Sequence, residues 1–180
     1  MNIRKFHSKD FNRVQFICLN SEGPCDHSEE FQEFLLATYC NYYIENEPEH
    51  CFVAADENDN AIGYIISAFD FDIFYKKFTE NYPLENEEFI YAAKESVVPQ
   101  NKFKEDYPAH FHIDILPEYQ RMGLGHRLVD TLVNELKLNG IKGVMLTVWN
   151  DNATGISFYK KYGFTLIDTT KSNHVFGLTL

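Results

Sequence analysis

Phe111-His112-Ile113-Asp114-Ile115-Leu116-Pro117-Glu118-Tyr119-Gln120-Arg121-Met122-Gly123-Leu124-Gly125-His126 is the stretch on which the fold turns. Its first six residues form a largely apolar, strand-like run, and Pro117, which has no N–H to offer a sheet, ends it. Leu124, Leu128, Val129, Leu132, Val133 and Leu136 then recur on one face of a helix that stops at Asn139-Gly140. That stripe is core. Between strand and helix, Gly123 and Gly125 let a backbone approach a ligand closely. Outward-pointing N–H groups at such a turn, with the positive end of the helix dipole, favour a phosphate. The turn lacks both the Gly-Lys-Ser/Thr ending of a P-loop and the three-glycine spacing of a dinucleotide fold, so a pyrophosphate carrier of another kind is implied.

The run Ile115 to His126 resembles the acyl-coenzyme A signature of the GNAT acetyltransferase superfamily, Gln/Arg-x-x-Gly-x-Gly/Ala after the fourth strand. Gln120, Gly123 and Gly125 fill its defined positions. Downstream, Asn152-Ala153-Thr154-Gly155-Ile156-Ser157-Phe158-Tyr159-Lys160-Lys161-Tyr162-Gly163-Phe164 resembles the closing motif of the same superfamily. Within it, Tyr107 to Gln120 looks most like acetyltransferase-like domains related to O-GlcNAc hydrolases. The close resemblance covers Tyr107 to Ile167; the first hundred residues agree by order of elements.

Working outward, Ile3 to His7 reads as a first strand. Asp10 to Leu19 has the Phe11, Val14, Ile17 and Cys18 spacing of a helix capped by Ser8 or Asp10. Asp26-His27-Ser28-Glu29 is a capping-box pattern before a helix carrying Phe31, Phe34, Leu35, Thr38, Tyr39 and Tyr42, ended by Pro48. Cys51 to Ala55 and Ala61 to Phe69 read as strands two and three, joined by the polar loop Asp56 to Asn60. Residues 70–106 form an acidic, aromatic insertion too long to be structureless, with a helix from Phe71 to about Lys77 and a second apolar piece from Phe89 to Val97. Tyr107 to Leu116 is strand four and Lys142 to Trp149 strand five. A helix follows at Ala153 to Tyr162 with Gly163 as its left-handed cap, then strands at Phe164 to Thr169 and His174 to Leu180. The expectation is an α/β (α+β) fold of one domain, residues 1–180. Its mixed, mostly antiparallel seven-stranded sheet has a splayed parallel pair of strands four and five, with four main helices and the insertion between strands three and four.

Sixteen basic and twenty-seven acidic residues give a net charge of −11, the wrong sign for nucleic acid or an anionic membrane. No apolar run approaches a membrane span and no apolar signal core follows Met1, so a cytoplasmic protein is expected. Cys18, Cys25, Cys40 and Cys51 lack Cys-x-x-Cys pairing and read as free thiols, and the seven histidines show no helical pair at metal spacing, so no metal is expected.

The resemblance implies acetyl-coenzyme A as cosubstrate. Its pantetheine arm would pair with strand four at Ile113, Ile115 and Leu116, using backbone groups alone. Its pyrophosphate would lie on Gln120, Arg121, Met122, Gly123, Leu124, Gly125 and His126, with the Arg121 side chain, and His126 or Arg127 besides, adding positive charge. The amide of Ile115 or Leu116 would polarise the thioester carbonyl, and Tyr159 would protonate the departing thiolate. Asn152 would cap its helix, contact the coenzyme, or both. The general base is open. His110, His112 and Asp114 share one strand face, whereas several family members carry the base on the face that here holds Ala109 and Phe111. The choices are His112 or Asp114, a residue of the insertion such as Glu105 or Asp106, or water; His112 and Asp114 also read as a polar pair that only fixes the strand. Trp149 and Asn150 end strand five, where they would line the acceptor pocket; the other reading of Trp149 is an ordinary buried residue. The expected activity is N-acetyl transfer by direct attack in a ternary complex, with a small amine, amino sugar, polyamine or peptide amine as acceptor. The other reading is an acetyl-coenzyme A-binding module or sensor without turnover. Monomer and homodimer are both open.

Overall fold

The computed structural model describes residues 1–24 and 27–180. Strands β1 (Asn2–Lys5), β2 (Phe52–Ala55), β3 (Ala61–Ala68), β4 (Ala109–Ile115), β5 (Gly143–Trp149), β6 (Thr165–Thr169) and β7 (Asn173–Thr179) form one sheet in the order β1-β2-β3-β4-β5-β7-β6. The expected parallel pair is present: β4 meets β5 in parallel at Ala109↔Val144 and His110↔Met145. The pairs β1–β2, β2–β3, β5–β7 and β6–β7 are antiparallel. Helices are α1 (Phe11–Asn20), α2 (Glu29–Tyr39), α3 (Asn41–Asn46), α4 (Phe71–Asn81), α5 (Glu87–Val97), α6 (Leu124–Leu138) and α7 (Ala153–Tyr162).

Four main helices were expected, and the structure adds to them. The apolar run after Ser28 breaks at Cys40, whose φ of −129° and ψ of −62° leave the helical region, so α3 is separate from α2. Periodicity carries across such a break because the same face stays buried on both sides. Ser28 caps α2 by accepting from the Phe31 amide; Asp26 and Cys25, the remaining parts of the expected capping box and thiol set, lie outside the described residues. Asp10 does not cap α1 with its side chain. It accepts from the His7 amide at 2.9 Å and pairs with Arg4 at 2.6 Å instead.

The chain divides into two compact units, of which the first comprises Met1–Ala68 and His112–Glu135. All eight positions of β3 are buried, so both of its faces are covered, in agreement with a nearly continuous apolar sequence. From α1 come Val14, Ile17 and Cys18, and from α6 Leu124, Leu128, Val129 and Leu132, all buried. Each such leucine contributes about 1.5–3 kcal/mol on burial. Asp56 closes the β2–β3 hairpin by accepting from the amides of Asn58 and Asn60.

The second unit comprises Phe69–Phe111 and Leu136–Leu180. The insertion is structured, as its length demanded, and its second apolar piece is a helix like its first. Asp70 caps α4 and Asn86 caps α5, each accepting from two amides of the first turn. Phe71, Phe74 and Phe78 are buried along one side of α4. Gly163 ends α7 at φ +117°, the left-handed cap expected of it.

Candidate functional site

The strand-to-helix turn has the geometry its sequence implies. Gly123 stands at φ +81° and Arg121 at φ +60°, so two of three consecutive residues are left-handed. Gly123 immediately precedes α6 and has no side chain with which to accept from the first turn. The amides of Leu124, Gly125 and His126 have no carbonyl one turn back within the helix. These are the donors an oxyanion would meet. Leu124 is 2% exposed, so it serves the turn through its backbone, whereas Arg121 and Met122 are exposed. Arg127 reaches the Met1 carbonyl at 3.4 Å and belongs to the amino terminus rather than to the turn.

Gln120 fixes the turn to the strand. Its Nε2 donates to the Ile115 carbonyl at 2.9 Å and to the Ser21 carbonyl at 2.8 Å. The Leu116 amide donates to the Ile62 carbonyl at 3.0 Å. This separates the two expected carbonyl donors: Leu116 is committed to the β3 side, and alternation turns the backbone groups of Ile115 and Ile113 to the other edge. Gly63 allows the close approach of β3 here, because a Cβ on it would lie 2.8 Å from Ile115 Cγ1.

On the face of β4 carrying His112 and Asp114, three elements converge. The Tyr64 hydroxyl of β3 donates to Asp114 Oδ2 at 2.8 Å and lies 3.0 Å from His112 Nδ1. The latter two atoms are 3.7 Å apart, so the tyrosine joins them where they do not join directly. Tyr39 of α2 stacks on the His112 ring, with centroids 5.2 Å apart and planes at 25°. Burial pushes Asp114 up to about 7, opposed by hydrogen bonds from Tyr64 and Ser21 and aided by Glu22. Burial lowers His112 to about 4. The carboxylate is therefore the stronger base of the pair, and the imidazole is neutral near pH 7.

Spacing along the chain pointed away from a metal, yet the fold brings one donor atom each of Cys18, His112 and Asp114 within 4.8 Å of one another. This is a grouping of distant residues that local spacing does not register, and Tyr64 already binds two of its members. Cys18, Cys40 and Cys51 are free and buried; contact with Cys18, then burial, raises Cys40 well above its ordinary value, and burial raises Cys51 to about 12, which suits inert thiols.

In the second unit, Tyr159 is half-buried among Phe111, Phe158, Phe164 and Phe176, with centroids 5.3–6.4 Å away. Asn152 caps α7, its Oδ1 accepting from the Gly155 amide at 2.7 Å. His110 packs against Phe74 at 4.1 Å and Phe71 at 5.3 Å, and burial lowers it to about 3. Glu105 and Asp106 are exposed. Trp149 ends β5 at 37% exposure, against the reading of it as an ordinary buried residue. Sequence reasoning missed Tyr64, Tyr39 and Cys18. The one available signal was a phenol in an otherwise apolar strand, whose hydroxyl needs a partner when buried.

Among the described residues, no helix is long and apolar enough to cross a membrane. Over 54 residues the chain is 41% identical to the ribosomal protein bS18-alanine N-acetyltransferase of Escherichia coli (strain K12), a match spanning 30% of this chain and 36% of that relative. The crystal structure of SsHAT aligns with a TM-score of 0.85 at 24% identity, covering 99% of this chain and 97% of that one. The PaiA N-acetyltransferase from Thermoplasma acidophilum, in complex with coenzyme A, aligns with a TM-score of 0.66 at 20% identity, covering 99% and 98%. These two likenesses establish the fold. The finer resemblance to domains related to O-GlcNAc hydrolases gains no support from these relatives. The model of the acetyltransferase (GNAT) family matches residues 18–164, most of the chain, and by that match the protein belongs to the GNAT family.

Proposed function

We propose that residues 1–180 act as one acetyltransferase domain that moves the acetyl group of acetyl-coenzyme A to an amine by direct attack in a ternary complex. The observation that carries this reading is the turn Gln120 to His126, where a left-handed Gly123 opens α6 without a side-chain acceptor. A pyrophosphate would take the amides of that turn, with Arg121 and His126 beside it. The coenzyme's arm would pair with the backbone groups of Ile113 and Ile115, and the Ile115 amide would polarise the thioester carbonyl. Leu116 contributes only by holding the strand to β3. A structural relative is itself complexed with coenzyme A, which supports the cosubstrate.

His112 and Asp114 are the groups we assign to the proton of the attacking amine, in preference to the exposed Glu105 and Asp106 of the insertion. We assign Tyr159 the proton returned to the thiolate and Asn152 a coenzyme contact in addition to its cap. The acceptor is a small amine, an amino sugar or a peptide amine. A partial relative that acetylates an alanine of a ribosomal protein favours the last of these. The finer likeness of Tyr107 to Gln120 to O-GlcNAc-hydrolase-related domains rests on those residues alone.

A second reading, an acetyl-coenzyme A-binding module, draws on one observation: Ala109 and Phe111, on the strand face where several family members carry the base, are buried and have no proton chemistry. Titration calorimetry with acetyl-coenzyme A and free coenzyme A, followed by thiol release over a panel of amines, separates the two. Binding with release that depends on one amine class supports the transferase. Binding without release across small amines, amino sugars and peptides supports the module, and absence of binding removes both.

A further inference from the structure

Tyr64 is 0% exposed, and its hydroxyl contacts both groups assigned to the proton of the acceptor. A phenol has one proton to give. Given to ionised Asp114, it leaves the His112 contact to be made the other way, with Nδ1–H donating to the phenol oxygen. A neutral imidazole with its proton on Nδ1 has its lone pair on Nε2. Given instead to Nδ1, the phenol proton would leave two acceptor oxygens facing each other at 2.8 Å, an arrangement an ionised carboxylate opposes. Burial, the neighbouring Asp114 and Cys18 all hold the Tyr64 phenol well above its ordinary value, so it keeps its proton. Tyr39, stacked on the His112 ring, limits its rotation.

We infer that Tyr64 is a positioning residue: it locks His112 in the Nδ1–H tautomer and so presents Nε2 as the atom that takes the acceptor's proton. The inference rests on the transferase reading for its catalytic meaning and on Asp114-Tyr64-His112 geometry for the tautomer. When the acceptor nitrogen attacks the thioester carbonyl, a C–N bond forms and the carbonyl π pair moves to oxygen; as that pair returns, the C–S bond breaks and its electrons leave on sulfur, while one N–H bond breaks with its pair kept by nitrogen. The proton forms a bond to Nε2. The Nδ1 proton then passes to the phenol oxygen as the phenol proton passes to Asp114, so one proton enters at Nε2 and one is held on the carboxyl. The His112 side chain is 27% exposed and Asp114 19%, which leaves the imidazole the more open end of the chain.

The test is the side-chain nitrogen–proton correlation spectrum of the full chain at pH 8.5, where Asp114, raised to about 7, is ionised, with His112 assigned by its absence in His112→Gln. The expected pattern is Nδ1–H with unprotonated Nε2, changing toward Nε2–H in Tyr64→Phe. That variant should also lose about 10²-fold in kcat with little change in the KM for acetyl-coenzyme A. An Nε2–H pattern in the unsubstituted protein overturns the inference without reference to any variant's folding. An Nδ1–H pattern that persists in folded Tyr64→Phe overturns it too. If the unsubstituted protein shows the Nδ1–H pattern but turns over no amine, the tautomer lock stands and the transferase reading falls.

Discussion

Replacing Asp114 by asparagine keeps the size and shape of the side chain while removing its ionisation, and the structure gives the direction and size of the consequence. Asp114 titrates at about 7 in the folded protein because burial disfavours its charged form, against an ordinary value of 3.8. Below about pH 4 the carboxyl is protonated in both states and contributes nothing. As the pH rises toward 7 the unfolded chain releases this proton and the folded one retains it, so stability falls; above 7 the cost is constant. Each pH unit in that window is worth about 1.4 kcal/mol, so between pH 5 and pH 7 the cost grows by about 2.7 kcal/mol. Solvent at a side chain that is 19% exposed reduces this, and the expected growth is about 2 kcal/mol. The groups facing Asp114 are Tyr64 and Ser21, with Glu22 raising it further, His112 at 3.7 Å and Cys18 in the same cluster. His112, lowered to about 4, imposes the opposite slope below its ordinary value, but it is present in both proteins and cancels in the difference. Urea unfolding of both proteins at pH 5, 6, 7 and 8 reads that difference directly. Asp114→Asn should gain on the unsubstituted protein by about 2 kcal/mol from pH 5 to pH 8. A difference that does not change with pH would refute the argument that burial holds this carboxyl protonated.

At the turn, Gly123→Val forces a β-branched residue into φ +81°, so coenzyme affinity should fall at least tenfold and the thermal midpoint should drop by a few degrees with the fold retained, because the strain costs about 1–2 kcal/mol; unchanged affinity in calorimetry would remove the turn from the site. Tyr159→Phe should lower kcat far more than coenzyme affinity, and a parallel loss of both would assign the tyrosine to packing among its four phenylalanine neighbours. Asn152→Ala should cost about 1 kcal/mol of stability through the lost α7 cap and should weaken coenzyme binding as well; a stability loss with unchanged affinity, measured on the same preparation, would leave the residue as a cap alone.

Most of the elements were legible along the chain because their signals are local. Ala153 to Tyr162 is a helix with the expected bounds, and the left-handed Gly163 ends it, since the Asn152 cap, the helical spacing and the glycine all lie within twelve residues. The break at Cys40 was not legible, because an apolar face continues on both sides of it. Trp149 stood open between two readings for a related reason: a residue type carries a preference for burial, but the end of a strand is covered only by what the rest of the chain places there.

By itself the sequence determined the strand, the glycine turn and the helix that would hold a pyrophosphate, together with the alternation that puts His112 and Asp114 on one face. These depend on backbone geometry over a few residues, which residue type controls directly. Only the tertiary structure decided what stands opposite that face. Tyr64 precedes His112 by 48 residues, and β3 carries it to the carboxylate and the imidazole through sheet pairing. Pairing and register across such a distance are chosen by burial of both faces of β3 and by the close approach at Gly63, terms that arise when the whole sheet assembles and have no trace in the periodicity of either strand.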